Sequence, residues 1–180
     1  MGYAAAITSH IELATGVLIL PQRQTVLVAQ QATDVDLLSN GRLRLGVGTG
    51  WNYVEYHALG QDFASRGRRL SEQVPLLRRL WSEPLVTFAG QFDQIDRGCI
   101  NPRPRRDIPV WFGGFGEAAF KRAAKMGDGF SFAGDVETAL AGLERTRELL
   151  AEEGRDISAF GCELILTRAR TAAEIGRAHV

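Results

Sequence analysis

The sequence predicts an α/β protein built on a parallel sheet, and three observations carry that expectation. Short apolar runs alternate with segments of helical period, the pattern of strands joined by crossover helices. Glycine clusters follow two of those runs directly, at Gly46-Val47-Gly48-Thr49-Gly50 and Gly113-Gly114-Phe115-Gly116, where a strand turns into its next connection. A length of 180 residues suits one domain with a sizeable core and is short for two.

The elements follow in order. Ile11 to Leu20 is apolar apart from Glu12 and Thr15, so it is expected to be a strand buried on both faces, ended by Pro21. A helix over 25–39 would turn Val28, Ala32, Val35 and Leu38 inward, with Asn40-Gly41 as a left-handed stop. Residues 42–48 form the next strand. Over 66–81, Leu70, Val74, Leu77 and Leu80 recur at helical spacing, and the arginines between them read as a solvated face.

From Pro84 to Pro109 the pattern changes. Val86-Thr87-Phe88 and Phe92 flank Ala89-Gly90-Gln91 as in a hairpin, and Asn101-Pro102-Arg103-Pro104 reads as extended chain. Residues 82–109 are therefore expected to be an insertion. Val110-Trp111-Phe112 is a third buried strand, and its glycine turn leads to a helix carrying Ala119, Phe120, Ala123 and Ala124. Gly127-Asp128-Gly129 precedes a short strand over 130–132. Asp135 can cap a further helix with Val136, Leu140, Leu143 and Leu150 inward, before Gly154 and a last strand over 161–167. The tail over 174–180 reads as translated adapter DNA, which sets it apart from a domain over 1–173.

Composition narrows the function classes. Lysine plus arginine (21) balance aspartate plus glutamate (21), so no net field draws the chain to nucleic acid or to an anionic membrane. A small neutral or apolar molecule is the better partner. Cys99 and Cys162 have neither disulfide-framework nor zinc-ligand spacing and read as ordinary thiols of a reducing compartment. No run approaches the ~20 apolar residues of a membrane span, and Met1 to Ala6 lacks a leader's basic-then-apolar start. A cytoplasmic protein is expected.

Few residues carry chemistry by themselves. His10 and His57 read as surface loop residues, Asp34 and Asp36 sit on a helix end, and no nucleophile signature is present. No metal site and no acid–base pair can be named. The Gly46–Gly50 cluster departs from the dinucleotide fingerprint, since Trp51 follows it and no clean helix begins at once. It reads equally as a ligand loop or a plain tight turn. Gly113 to Gly116 lie before a helix whose first-turn amides favour a phosphate, although close packing alone would also call for glycine. Thr15-Gly16-Val17 places a glycine inside a strand, as at a bulge or beside a ligand.

Together these segments resemble the luciferase-like (bacterial luciferase type) flavin and deazaflavin oxidoreductases, especially the coenzyme F-420 branch. The resemblance is carried by 15–21 (TGVLILP), 37–48 (LLSNGRLRLGVG), Gly67-Arg68-Arg69, Leu80-Trp81, Asn101 to Pro104, 109–114 (PVWFGG) and 127–130 (GDGF). It implies a TIM (β/α)8 barrel, normally about 250 residues. The chain would begin in the helix before the third strand, lack the first two strands, and lose the barrel's end after Thr167.

The resemblance also implies where a cofactor lies. A bulge with a non-prolyl cis peptide, at Thr15, Gly16 and Val17, would press on the ring, with Thr49 and Gly50 beside it. Gly113, Gly114, Phe115, Gly116, Ala118 and Ala119 would meet a phosphate or the cofactor's tail. Trp51 stands where some deazaflavin dehydrogenases of the family carry an acidic residue, so that proton acceptor is not carried over. The implied activity is hydride transfer between reduced coenzyme F-420 and a small organic substrate. An FMN-dependent monooxygenase using molecular oxygen, and a truncated inactive fragment, stand as alternatives. Homodimers are common in the resembling family.

Overall fold

A computed structural model describes residues 1–166, in two compact units that divide after Pro109. The first unit opens with α1 (Gly2–Ile7), followed by the short strands β1 (Leu13–Ala14) and β2 (Leu18–Ile19) and a 3-10 turn over Leu20–Gln22. Then come α2 (Thr25–Leu38), β3 (Leu43–Gly48), α3 (Tyr53–Ala58), α4 (Arg66–Ser82) and the strands β4 (Val86–Ala89) and β5 (Gln94–Gly98). Both β1 and β2 run parallel to β3, and β4 with β5 forms an antiparallel hairpin.

Every residue of β3 is buried, including Arg44, whose Nε pairs with Glu12 at 3.0 Å. Leu70, Val74, Leu77 and Leu80 of α4 are buried as well. Truncating any one of these leucines to alanine removes about 2–5 kcal/mol, because the neighbours close the gap only in part. Trp81 extends this core and satisfies its indole by donating Nε1–H to the Ala29 carbonyl of α2 at 3.1 Å. The arginines of α4 are less solvated than expected: Arg66 and Arg69 are half-buried, and each donates to a backbone carbonyl, of Phe63 and Arg23 respectively.

Three expectations are corrected in this unit. The single strand over 11–20 is two short strands with an open surface, Ile11 and Ala14 being exposed. Among the described residues β1 and β2 pair with no strand other than β3. The buried face of α2 is rotated: Thr25, Val28, Ala29, Ala32, Thr33 and Asp36 are buried, whereas Val35 is half-buried and Leu38 is 71% exposed. The polar members go inside because each has a partner. Thr25 donates to Asp93, Thr33 to the Ala29 carbonyl, and Asp36 accepts two bonds from Arg106 at 2.7 and 3.1 Å. Asp36 is thus a buried ion-pair member rather than a plain helix-end carboxylate. Finally, Asn101 and Pro102 form a bend instead of running extended, joined by a cis bond.

In the second unit, β6 (Val110–Gly113), β7 (Gly129–Gly134) and β8 (Gly161–Leu166) are parallel neighbours in that order, joined through α5 (Glu117–Met126) and α6 (Val136–Glu152). Phe130 and Phe132 of β7 pack with Phe120 of α5, ring centroids 5.1 and 6.1 Å away. The Asp135 side chain caps α6 as expected, accepting from the Thr138 amide at 2.8 Å. The inward face of α6 differs from expectation: Ala139, Gly142, Thr146, Leu149 and Leu150 are buried, while Val136 and Leu143 are half-buried and Leu140 is 45% exposed. Large rings require small opposing residues, and a Cβ on Gly142 would lie 3.1 Å from Phe120 and 3.2 Å from Phe132. Helix α5 ends on Arg155, which donates to the carbonyls of Ala123, Ala124 and Gly127. The tail over 174–180 and the end of the expected last strand at Thr167 lie outside the described residues.

Candidate functional site

In the first unit the site segments meet along β3. Leu13 and Ala14 pair with Leu43 and Arg44, but Leu18 and Ile19 pair with Val47 and Gly48. Three residues lie between Ala14 and Leu18 where two lie between Arg44 and Val47, so Thr15 to Val17 hold one extra residue, a bulge. The Gly16–Val17 peptide is cis, at the place the resemblance gives. Thr15 anchors the bulge by donating its hydroxyl to the Gly46 carbonyl at 2.7 Å. The contact is close enough to dictate sequence, since a Cβ on Gly46 would lie 1.9 Å from the Thr15 carbonyl oxygen.

Gly16 differs in kind. It is exposed, its φ is not in the left-handed region, and apart from its two chain neighbours an added Cβ would meet nothing within 4 Å among the described residues. Contacts beyond its chain neighbours do not call for a glycine there, and the open space beside the bulge leaves room for a flat group to approach the main chain. Past the end of β3, Gly50 takes φ 64° and rests on Ile19, 2.9 Å from the position of an added Cβ. The bulge, β2 and the Thr49-Gly50 turn are therefore parts of one packed corner.

Helix α3 closes that corner. It begins three residues after Gly50, capped by Asn52, whose side chain accepts from the Val54 amide at 3.1 Å. No helix begins at once after Gly50, as expected, but exposed His57 lies in the last turn of α3 rather than in a loop. Glu55 accepts from both Gln22, beyond β2, and Asn52. Tyr56 is fully buried, packs edge-on against Phe63 at 5.3 Å, and donates its hydroxyl to the Thr49 carbonyl at 2.5 Å. Burial pushes the Tyr56 phenol up to about 12, with Arg66 and Arg69 opposing. Trp51 projects outward at 83% exposure. Tyr56 was not among the residues singled out from sequence; an aromatic residue in the first helix after a glycine turn is the only local signal of it.

In the second unit, β6 ends at Gly113 and the turn runs through Gly114 (φ 155°), exposed Phe115 and Gly116 (φ 92°). Gly116 is the N-cap of α5 and offers no side chain, so the first turn is capped by nothing of its own. Its carbonyl accepts from the amides of Ala119 at 3.0 Å and Phe120 at 3.4 Å. Ala118 is exposed, while Ala119 is half-buried with its methyl 3.1 Å from where a Gly114 Cβ would stand. Glu117 puts a negative charge in this first turn. Arg145, which donates through Nε and Nη2 at 3.0 and 2.8 Å, and Lys121 at 3.2 Å offset it and hold the carboxyl down at about 2. The Glu117 charge beside the turn is thus partly offset, with Arg145 shared with Glu148 at 2.6 Å and Glu152 at 3.6 Å.

Comparison with known proteins fixes the family. The sequence model of the luciferase-like monooxygenases matches residues 1–179. The chain belongs to that family. A pyrimidine monooxygenase RutA of Rhizobium rhizogenes is 34% identical over 171 residues, covering 89% of this chain and 46% of that protein. An uncharacterized protein of Mycobacterium tuberculosis is 35% identical over 147 residues, covering 79% and 51%. Among solved structures, an F-420-dependent secondary alcohol dehydrogenase holding an F-420–acetone adduct superposes with a TM-score of 0.82 at 24% identity, over 91% of this chain and 52% of that one. The luciferase-like chain spans about half the length of the curated relatives it matches. Its fold is α/β, an incomplete TIM barrel of the luciferase-like kind. No helix among its described residues is long and apolar enough to cross a membrane.

Proposed function

We propose that the complete luciferase-like protein is an oxidoreductase that transfers a hydride between reduced coenzyme F-420 and a small organic substrate. The observation that carries this reading is the open flank of Gly16 beside the packed corner at Thr49 and Gly50, which suits a planar ring laid against main chain. When bound, the deazaflavin supplies the two-electron chemistry. The chain's own part is to bind and orient: Thr15, Gly16, Val17, Thr49 and Gly50 toward the ring, and Gly113, Gly114, Phe115, Gly116, Ala118 and Ala119 toward a phosphate or tail. Trp51 has no titratable group, so no proton step is assigned to it.

A second reading, an FMN-dependent monooxygenase, is favoured by the 34% identity to a protein named pyrimidine monooxygenase. Fluorescence titration of the chain with F-420 and, separately, with FMN tests both. Saturable F-420 binding at least tenfold tighter than FMN supports the first; the reverse order selects the second; binding of neither overturns both. A cytoplasmic location and a homodimer belong to the same reading, the location supported by the free thiols of Cys99 and Cys162 and the homodimer by family resemblance.

A further inference from the structure

The geometry assigns Tyr56 as a positioning residue for the cofactor ring: its buried hydroxyl fixes the Thr49–Gly50 peptide plane and so aims the Gly50 amide. The inference rests on the ring-binding reading of Thr49 and Gly50.

The step from phenol to amide is one of covalent geometry. A trans peptide is planar, so its carbonyl and the next N–H point in opposite directions. The hydroxyl bond at 2.5 Å pulls the Thr49 carbonyl toward α3, which turns the Gly50 N–H away from α3. Without that bond the turn would have a free torsion on each side of the plane, and Gly50, with no Cβ, would resist rotation least. Burial and one ring contact leave the phenol little freedom. Tyr56 is fully buried, its ring meets Phe63 edge-on with 79° between planes, and Arg66 lies 3.7 Å over the far ring of Phe63. Raised to about 12 by burial, the phenol stays protonated and remains a donor at every pH in which the fold is useful. The Gln22–Glu55–Asn52 contacts tie the same helix to the segment after β2. Helix α3 therefore holds both arms of the corner in one register.

A plain structural role would give the same contacts, and the two roles separate by measurement. Tyr56→Phe keeps the ring and the Phe63 contact and removes only the donor. Its F-420 dissociation constant is expected to rise about tenfold over the wild-type chain, the size of one positioned hydrogen bond, with a changed emission spectrum of the bound F-420. Ala58→Gly loosens the exposed end of the same helix and keeps the hydroxyl, and its F-420 affinity is expected to stay within about twofold of wild type. Wild-type chain that binds neither F-420 nor FMN overturns the ring-binding reading and this inference with it. Wild-type binding with unchanged affinity and spectrum in Tyr56→Phe overturns this inference alone. Equal weakening in Ala58→Gly also overturns it, since helix integrity rather than the hydroxyl would then be what matters.

Discussion

Gly46→Ala tests whether the bulge is fixed by its contact with β3. The new methyl would sit 1.9 Å from the Thr15 carbonyl oxygen, where real Cβ atoms essentially never come under 3.0 Å. One of the two backbones must therefore move by about 1 Å, and neither is the free end of a flexible side chain. Overpacking of this kind costs about 1–3 kcal/mol. The upper half of that range is expected, because the displacement also strains the 2.7 Å bond from the Thr15 hydroxyl to the Gly46 carbonyl. In a domain of this size about 2 kcal/mol corresponds to roughly 4–8 °C in Tm. Urea unfolding followed by far-UV circular dichroism, with the m-value checked for constancy, measures it. A loss under about 0.5 kcal/mol would show that the strands can part at no cost and would refute the packed-corner account.

Two further outcomes follow from the ion pairs. Asp36→Ala leaves the Arg106 guanidinium without its buried partner; because the arginine side chain is 35% exposed, the loss is expected near about 2 kcal/mol, below the range for a fully buried pair, and urea unfolding reads it. Glu117 is held down at about 2, chiefly by its hydrogen bonds from Arg145, against an ordinary 4.5. Its lowered value favours the folded state above about 4.5, and that contribution is lost as pH falls toward 2. Glu117→Gln should therefore flatten the fall of Tm over that window, and an unchanged slope would contradict the pairing.

Much of the fold was legible because spacing alone determines it. Leu43, Leu45 and Val47 at alternate positions of β3 and the recurrence of Leu70, Val74, Leu77 and Leu80 need no knowledge of distant residues. The faces of α2 and α6 do. Thr25 is buried because Asp93, 68 residues away, accepts its hydroxyl, and Asp36 because Arg106, 70 residues away, pairs with it; apolar counting assigns such positions to the surface. Gly142 faces inward because Phe120 and Phe132 need room, a demand set by another helix and a strand. The broken strand at 11–20 has the same origin, since the bulge is anchored on Gly46, 31 residues from Thr15. In the candidate site, the glycine turns and the Thr15–Val17 bulge were marked by residue type and resemblance. Tyr56 was not, because a phenol meeting a carbonyl seven residues earlier matches no turn or helix spacing.

The most direct test of the cofactor account is Gly16→Ala, with F-420 affinity and unfolding free energy measured on the same preparation. Beyond its two chain neighbours the added methyl meets no described residue within 4 Å, so stability is expected to stay within about 0.5 kcal/mol. F-420 binding is expected to weaken at least about tenfold, because the methyl occupies the approach to the ring. Unchanged F-420 affinity in a fully folded Gly16→Ala chain would mean that no ring lies against this flank.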